Sequence, residues 1–381
     1  MKIIVNTVVL LHNNSEDYRG FLNEVLEIII KRNREHEFII IADDSVAKKL
    51  LPGSNVTKVI RRYPLRHPLL TKMWYDLKLP AILKKYQGDL FVSLDGFCSH
   101  TIQLPQCVFL NDVSLSGYSR DKRLRLFFYK RLMPKIVQRA HLLVCGSYVK
   151  KKDLILRYSV DEKKLTVVYP AAIEIFQPLH ELIKDEVRKK YCDEKNYFVY
   201  AGTFQQRNDL FNLLKAFSVF KKRQKSNWRL VLTGCLRQYD KKFIGNLRSY
   251  KYRDDVVMAA NEKHHDTARL IGSAYAMICA AYSDGSVFTI LQALKCQVPV
   301  ITADTPIGRE IAGEAALYAN PSDPESIADQ MMIMYKDESL RTALIEKGKK
   351  EGARYGLEKS AEHLWQCICT TGDGCKPADM N

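Results

Sequence analysis

Short apolar runs alternate along this chain with longer stretches in which apolar residues recur at helical spacing. The short runs are typical of strands buried on both faces, and the longer stretches predict amphipathic helices. Their regular alternation predicts an α/β fold with parallel sheets and crossover helices. In the first half of the chain, strands are predicted at residues 2–10, 37–42, 89–93, 106–110, 141–145 and 165–170, and helices at residues 20–34, 70–85 and 122–139.

The second half repeats this order of elements after a change in composition. Residues 171–195 mix charged residues with Pro178, which is typical of a connection between domains. Beyond it, strands are predicted at residues 197–202, 228–234, 256–258, 276–279 and 298–302, with a helix at residues 209–222. A chain of 381 residues is long for one core and suits two domains. We therefore predict two Rossmann-like domains at residues 1–172 and 196–356, a connection at residues 173–195, and a C-terminal helix and tail at residues 357–381.

Residues 280–301 contain, in one run, the end of a strand, a glycine turn, a helix and the next strand. The turn Asp284-Gly285-Ser286 leads into a helix whose first backbone N–H groups have no partner inside the helix. Those N–H groups and the helix dipole favour a bound anion, so a sugar-nucleotide pyrophosphate fits there. The predicted phosphate-binding residues at this turn and helix start are Gly285, Ser286, Val287, Phe288 and Thr289.

The net charge of +16 is concentrated in residues 1–172, which carry 13 of the excess positive charges. The densest part, residues 120–139, interleaves Lys and Arg with aromatic and aliphatic residues. A basic amphipathic helix of this kind can lie on an anionic bilayer. It can equally pack its apolar stripe inward and leave a solvated basic face. A nucleic-acid partner is not expected, because no recognition motif accompanies the charge.

Cysteine usage and hydropathy favour a cytoplasmic protein. The ten cysteines show no metal-ligand spacing, so reduced thiols and no metal site are expected. No apolar run approaches the ~20 residues that span a bilayer. The first apolar run fits a buried strand better than a secretory signal, since no small-residue cleavage site follows it. Peripheral attachment to the inner face of the membrane stays open because of the basic first half.

Six segments follow one another in a characteristic order. Residues 95–97, 111–114 and 146–154 lie in the first half, and residues 200–217, 280–301 and 306–328 in the second. Together they resemble family 4 GT-B glycosyltransferases, and the resemblance covers nearly the whole chain. It implies two domains facing each other across a crevice, with ligands at the carboxyl ends of both sheets. It also implies that the first domain, residues 1–172, lies on the acceptor side and that the second, residues 196–356, binds the nucleotide-sugar. The last helix, from residue 357, would return to the first domain.

The resemblance implies roles for residues in the donor domain. Gly202 and Thr203 stand at its first glycine turn. In the family, two Glu residues eight positions apart hold the donor sugar and the nucleotide ribose. Asp284 stands at the first of these positions, where it keeps the charge on a shorter side chain. Gln292 stands at the second, where it can still make a hydrogen bond but loses the charge-assisted pair.

Two further family positions are also substituted. A Lys that binds the diphosphate corresponds to Asn208, and only the preceding Arg207 could supply the cation. The His of a His-Asp pair that touches the donor sugar corresponds to Asn111, with Asp112 retained. The resemblance thus assigns catalysis to Asp284, Asn111 and Asp112.

Each assignment has an ordinary structural alternative. Asp284-Gly285 and Asn111-Asp112 are also common turn pairs. Gln292 and Arg207 could face solvent on helices. His264-His265-Asp266 suggests a metal cluster at first sight but fits a helix start better, because adjacent helical side chains diverge by about 100°.

These features predict a retaining glycosyltransferase that moves a sugar from a nucleotide-sugar donor to a glycan or lipid-linked acceptor. By resemblance, the leaving diphosphate helps to take the acceptor proton, so neither an enzymic nucleophile nor a metal or other cofactor is expected. What the protein must supply is positioning and charge stabilisation. The alternative is a catalytically inactive GT-B subunit that binds a glycan or serves as a scaffold. A sugar-nucleotide epimerase would need an acid/base carboxylate set that the sequence does not show.

Overall fold

The computed structural model describes residues 1–7, 16–42, 53–61, 73–110, 122–202, 208–234, 241–260, 263–279 and 286–372. The chain divides into two compact units. The first unit comprises residues 1–171 and 356–381, and the second comprises residues 172–355. Residues 173–195, expected as a separate connection, therefore belong to the second unit.

The first unit is built on a seven-stranded parallel sheet with the order β3-β2-β1-β4-β5-β6-β7. Its core strands consist almost wholly of buried aliphatic and aromatic residues, which suits a sheet covered on both faces. The strands are β1 Lys2–Asn6, β2 Glu37–Ala42, β3 Val56–Ile60, β4 Leu90–Ser93, β5 Gln106–Phe109, β6 Leu142–Cys145 and β7 Leu165–Val167.

Helices follow most of these strands. The first is α1 Glu16–Arg32. A turn of π-helix at Trp74–Lys78 continues directly into α2 Leu79–Tyr86. The next two are α3 Lys122–Arg139 and α4 Tyr148–Tyr158. The first turn of α4 is capped by Ser147, whose hydroxyl accepts a hydrogen bond from the Lys150 N–H at 3.1 Å.

The second unit is built on a six-stranded parallel sheet with the order β10-β9-β8-β11-β12-β13. Counted from its own first strand, this is the doubly wound order 3-2-1-4-5-6. The strands are β8 Tyr197–Ala201, β9 Arg229–Gly234, β10 Val256–Ala260, β11 Ala276–Cys279, β12 Val300–Ala303 and β13 Ala316–Ala319.

In the described part of the second unit, the first helix precedes the first strand of the sheet, and the later helices follow its strands. Side-chain oxygens of Thr305, Asp323 and Asp337 cap three of them. The helices are α5 Glu181–Cys192, α6 Asn208–Gln224, α7 Lys241–Arg248, α8 His264–Gly272, α9 Ser286–Lys295, α10 Pro306–Ala312, α11 Pro324–Lys336 and α12 Glu338–Gly352.

The last helix, α13 Leu357–Thr371, belongs to the first unit and packs against α1, β5 and β6. Ser360 donates a hydrogen bond to the Tyr169 carbonyl at 2.7 Å. The ring of Trp365 lies 5.1 Å from that of His36. The end of the chain thus completes the core of its first unit. Among the helices in the described part of the chain, none combines the length and apolar composition needed to cross a bilayer.

The α/β class and two parallel sheets predicted from the sequence are confirmed. Several elements were not predicted, among them the strand β13 and, for clear physical reasons, two others. The edge strand β3 buries only Val59 among its five residues, so it lacks an apolar run. Helix α5 is strongly charged and buries only Val187 and Cys192, so its composition looked like that of a linker.

Candidate functional site

The two strands at the centre of the second sheet define the edge where a ligand is expected. β8 and β11 pair directly, with Met277 opposite Val199. The connections from these two strands lead to opposite sides of the sheet, because β9 follows β8 on one side and β12 follows β11 on the other. In open α/β sheets, ligands bind outside the carboxyl ends of the strands at this switch point. Gly202 follows β8, and α9 begins shortly after β11, so both lie at this edge.

The carboxyl ends of β8 and β9 approach each other unusually closely. The Gly202 N–H donates to the Thr233 carbonyl at 3.1 Å. Gly234 adopts a φ of +137°, and a Cβ atom there would lie 1.8 Å from the Gly202 carbonyl oxygen. Only glycine fits such a position. This part of the edge is therefore shaped by backbone atoms of Gly202 and Gly234 and leaves no room for a side chain between them.

Helix α9 is fixed firmly against the sheet. Val287, Ile290, Leu291 and Leu294 recur at helical spacing and are all buried. At the helix end, the Lys295 ammonium group contacts the Glu174 carboxylate at 2.8 Å and the Ala172 carbonyl at 3.2 Å. The first N–H groups of α9 are therefore held in a fixed position and point out of the carboxyl edge, as a phosphate site requires.

Gln292 lies two turns into α9 and is only 3% exposed. The alternative that this side chain faces solvent is therefore wrong. A buried amide needs hydrogen-bond partners, so its position is determined by its surroundings. Thr289, one turn earlier, is also buried. Gln292 is therefore no surface residue.

Gly202 and the start of α9, which the sequence predicts in one site, follow the neighbouring strands β8 and β11 at the carboxyl edge of the second sheet. Asn208 and Ser286 are the first residues of α6 and α9, and their side chains are not described. The remaining predicted site residues lie outside the described residues: Asn111, Asp112, Thr203, Arg207, Asp284 and Gly285. Sequence reasoning missed Gly234, although a glycine ending an apolar strand was a visible signal.

The adjacent histidines begin a helix, as expected. α8 starts at His264, Lys263 occupies the N-cap position, and Asp266 lies in the first turn. Within the ranges that the structure describes, no group of His, Cys, Asp and Glu side chains is arranged to hold a metal ion.

The basic helix α3 forms over the predicted range, residues 122–139. In its second half, Lys130, Arg131 and Lys135 are exposed, whereas Met133 and Ile136 are buried. The Arg139 guanidinium group donates to the carbonyls of neighbouring loop residues. This half of the helix therefore packs its apolar side inward and exposes cations. The side chains of residues 122–129 lie outside the described part.

Residues 183–351 match the sequence model of the family described as Glycosyl transferases group 1. The chain is 23% identical over 279 residues to O-antigen chain mannosyltransferase RfbU of Salmonella typhimurium, covering 72% of this chain and 71% of that protein. It is 20% identical over 305 residues to O-antigen chain mannosyltransferase B of Escherichia coli, covering 79% and 77% respectively. A crystal structure of a glycosyltransferase from Rickettsia africae ESF-5 matches with a TM-score of 0.77 at 15% identity, covering 98% of this chain and 99% of that one. The structural likeness confirms the predicted GT-B fold class.

Proposed function

Because the chain is a GT-B glycosyltransferase-like protein and a transferase with a group 1 glycosyl transferase domain, we propose that it transfers a sugar from a nucleotide-sugar donor to a cell-surface glycan. The names of two relatives, both O-antigen chain mannosyltransferases, favour an acceptor of the O-antigen kind, built as a polysaccharide or glycolipid. We propose further that the transfer retains the anomeric configuration of the sugar.

The observation that carries this proposal is that α9 starts at the same edge of the second sheet as Gly202, at the switch point between β8 and β11. The N–H groups of Ser286, Val287 and Phe288, which open α9 and are not bonded inside the helix, would stabilise the two phosphates, whose negative charge increases as the sugar leaves. Gln292, buried on the same helix, would hold a ribose hydroxyl. Positioning and charge stabilisation of this kind can account for most of a transferase's rate enhancement.

The remaining roles fall on residues outside the described ranges and rest on the family resemblance. Asp284 would position the donor sugar, and Arg207 would supply the cation that the family takes from a Lys at the position of Asn208. By the same resemblance, Asn111 and Asp112 would contact the donor sugar. No metal or other cofactor is part of this proposal, since Arg207 and the helix N-terminus would together meet the diphosphate charge.

The proposal is tested by incubating the purified protein with UDP-, GDP- and ADP-sugars and a lipid-linked oligosaccharide, with and without EDTA. We expect one donor class to release nucleoside diphosphate and to extend the oligosaccharide, at a rate that EDTA leaves unchanged. The matching diphosphate should raise Tm, since a ligand at 100 times its Kd stabilises the fold by about 2.7 kcal/mol. Diphosphate binding without transfer would favour the inactive glycan-binding or scaffold subunit. If no nucleotide binds, the assignment of a donor site to the second unit is wrong.

Arg207 offers a sharper test of the substituted donor site. Arg207→Ala should lower turnover roughly 100-fold, the size typical of losing one preorganised charge contact. Adding Asn208→Lys to that variant should restore part of the activity, because it returns the cation to the family position. Unchanged turnover in Arg207→Ala would instead show that Arg207 is a solvated surface residue.

We also propose that α3 brings the protein to the cytoplasmic face of an anionic membrane, where a lipid-linked acceptor would be found. Its exposed cations, Lys130 and Arg131 among them, would each contribute about 1 kcal/mol near such a surface. Binding to vesicles containing anionic lipid should exceed binding to neutral vesicles and weaken as salt rises. Replacing five cations by Gln, at Lys122, Arg123, Arg125, Lys130 and Arg131, should abolish it with little change in Tm. Equal binding to both vesicle types, or none, would contradict this attachment.

A further inference from the structure

The chain passes between the two units at two points, and the last turn of α9 holds it near both. The first point is Ala171–Ala172 and the second is Tyr355–Gly356. On the side of the first unit, Ser360 donates to the Tyr169 carbonyl at 2.7 Å, which keeps the two connections next to each other. On the side of the second unit, the contacts come from the end of α9 opposite to the proposed diphosphate site.

Lys295, the last residue of α9, holds the first connection. Its ammonium group donates to the Ala172 carbonyl at 3.2 Å and to the Ile173 carbonyl at 3.5 Å, and it contacts the Glu174 carboxylate at 2.8 Å. Three acceptors from consecutive residues thus meet the three donors of one ammonium group. Ala172 and Ile173 are buried, so their carbonyls need partners of this kind.

The contacts of Lys295 favour a role in positioning over one in stability. The side chain of Lys295 is 30% exposed and that of Glu174 is 75% exposed. An ion pair this open to solvent changes the free energy of unfolding little. The hydrogen bonds to two backbone carbonyls, in contrast, fix the course of the chain where it enters the second unit.

Leu294, one residue earlier, holds the segment that leads to the second connection. Helix α9 packs against α12. A Cβ atom added at Gly348 would lie 3.2 Å from Leu294 Cδ2, and one added at Gly352 would lie 3.4 Å from Leu294 Cβ. The two glycines therefore let α12 approach α9 closely. α12 ends at Gly352, and Tyr355, the last residue of the second unit, donates from its hydroxyl to the Glu310 carbonyl at 3.0 Å.

Helix α9 joins these contacts to the proposed diphosphate site at its start. The helix has ten residues, which corresponds to about 15 Å. Val287, Ile290, Leu291 and Leu294 are buried along it, so it cannot bend without disturbing a close-packed core. Rigid elements of this kind carry coupling between distant sites. A restraint on the first turn of α9 therefore has a direct route to Lys295.

We propose that Lys295 is a positioning residue, which ties the entry of the chain into the second unit to the donor helix. Through this tie, a nucleoside diphosphate bound at the start of α9 restrains the first connection. Through Leu294 and α12, it restrains the second. The route of the effect rests on the proposed function, because it needs the diphosphate at that start. The tie itself does not.

Amide hydrogen exchange on the full chain tests the tie without any ligand. Lys295→Met should speed exchange at residues 172–176 about 10-fold or more, as for the loss of hydrogen bonds from a charged group. The matched control is Lys347→Met, which removes another helix lysine paired with a loop carboxylate, that of Glu314 at 3.0 Å. It should leave exchange at residues 172–176 within 2-fold. Unchanged exchange in Lys295→Met would overturn the tie.

The same measurement with UDP, GDP and ADP, each at saturating concentration, tests the route. In the unaltered protein, the diphosphate that binds should slow exchange at residues 172–176 and 353–356 about 5-fold or more, the lower end of the usual coupling between sites. In Lys295→Met, the effect at residues 172–176 should be lost and that at residues 353–356 kept.

The outcome at the start of α9 separates this inference from the proposed function. Slower exchange at residues 286–288 with no change at residues 172–176 would overturn the route and leave the proposed function intact. No nucleotide effect at residues 286–288 would contradict the proposed donor site and the route with it. The comparison without nucleotide decides the tie in either case.

Turnover separates positioning from a purely structural contact. In Lys295→Met, kcat should fall roughly 10-fold, since small misplacements far from the reacting atoms lower rates. The Kd for the diphosphate should stay within 2-fold, and Tm should change little. Lys295→Arg keeps N–H donors at this position and should restore most of kcat. An unchanged kcat in Lys295→Met, or a joint loss of Tm, diphosphate affinity and kcat, would identify a structural contact and overturn the inference.

Discussion

Lys221 in the second unit and Asp95 in the first are both charged side chains held by several hydrogen bonds, but they lie at opposite edges of their sheets. Lys221 is 6% exposed. Its ammonium group contacts the Asp255 carboxylate at 2.8 Å and donates to the carbonyls of Trp228 and Ser226. Trp228 and Asp255 immediately precede β9 and β10, which places this cluster at the amino edge. Asp95 follows β4, at the carboxyl edge.

The difference between the Lys221 and Asp95 clusters indicates how a charged side chain contributes at the amino edge and at the carboxyl edge of a sheet. All three donors of the Lys221 ammonium group are matched by acceptors, so the cluster has no capacity left and serves stability. The donors around Asp95 crowd onto Oδ1, whereas Oδ2 accepts one hydrogen bond from the described residues. Ligands bind at the carboxyl edge of such sheets, and Asp95 lies at that edge. Position in the sheet, more than residue type, distinguishes a structural charge from a candidate binding group.

The largest expected effect is at Gly234, which lies at the carboxyl edge of the second sheet and is nevertheless expected to matter for stability. A large loss of stability there would show that this edge is not devoted to ligand binding alone. Gly234→Ala places a Cβ atom 1.8 Å from the Gly202 oxygen at a φ of +137°. We expect a loss of about 4 kcal/mol in the free energy of unfolding, measured with urea, because the ends of β8 and β9 must separate. Gly245→Ala, in α7 with no atom within 4 Å of the added Cβ, should instead stabilise by up to about 1 kcal/mol. Similar values for the two variants would show that the close approach is unimportant.

Lys221→Met tests the structural side of the comparison. Removing the ammonium group leaves Asp255 and two carbonyls without their main partner, which should cost about 3 kcal/mol in the free energy of unfolding. Lys222→Met, an exposed neighbour on the same helix, should change stability by less than about 0.5 kcal/mol. Diphosphate affinity of the folded protein should be unchanged in both variants. A marked loss of that affinity in Lys221→Met would contradict a role confined to stability.

Asp95→Asn should have the smallest effect on stability, with a dependence on pH that has a definite sign. Burial raises the pKa of Asp95 in the folded protein above its ordinary value. The folded state therefore holds this proton more tightly than the unfolded state, and the native carboxyl group loses stability as pH rises between the two pKa values. The amide does not titrate, so the Tm of Asp95→Asn relative to the unaltered protein should rise between pH 4 and pH 7. A relative Tm that falls over this range would mean that the folded state favours the ionised carboxylate.

Much of the fold was predictable because its signals are local. The amphipathic period of residues 122–139 gave the bounds of α3. The apolar run at residues 276–279 likewise gave β11. In the second unit, the turn-helix pattern also predicted which residues start α9. Asp95 belonged to a segment of the family resemblance, but no role was predicted for it.

The rest depends on contacts between distant segments. Tyr75 lies in a stretch predicted as an ordinary helix, and only the fold brings its hydroxyl to Asp95, twenty positions away. The close approach of Gly202 and Gly234 is likewise a tertiary feature. One local signal was available: the apolar strands β1 and β4 both end in a polar residue, Asn6 and Ser93, which is unusual for strands buried on both faces.

The most direct test of the donor site is amide hydrogen exchange with and without saturating nucleoside diphosphate. If the start of α9 binds the phosphates, exchange should slow in peptides that cover residues 286–288 and Gly202, because ligand contacts suppress local opening there. Peptides that cover residues 90–97 should be unaffected, since they belong to the sheet of the first unit. No change at residues 286–288 under conditions where the diphosphate raises Tm, or slower exchange confined to residues 90–97, would contradict this donor site.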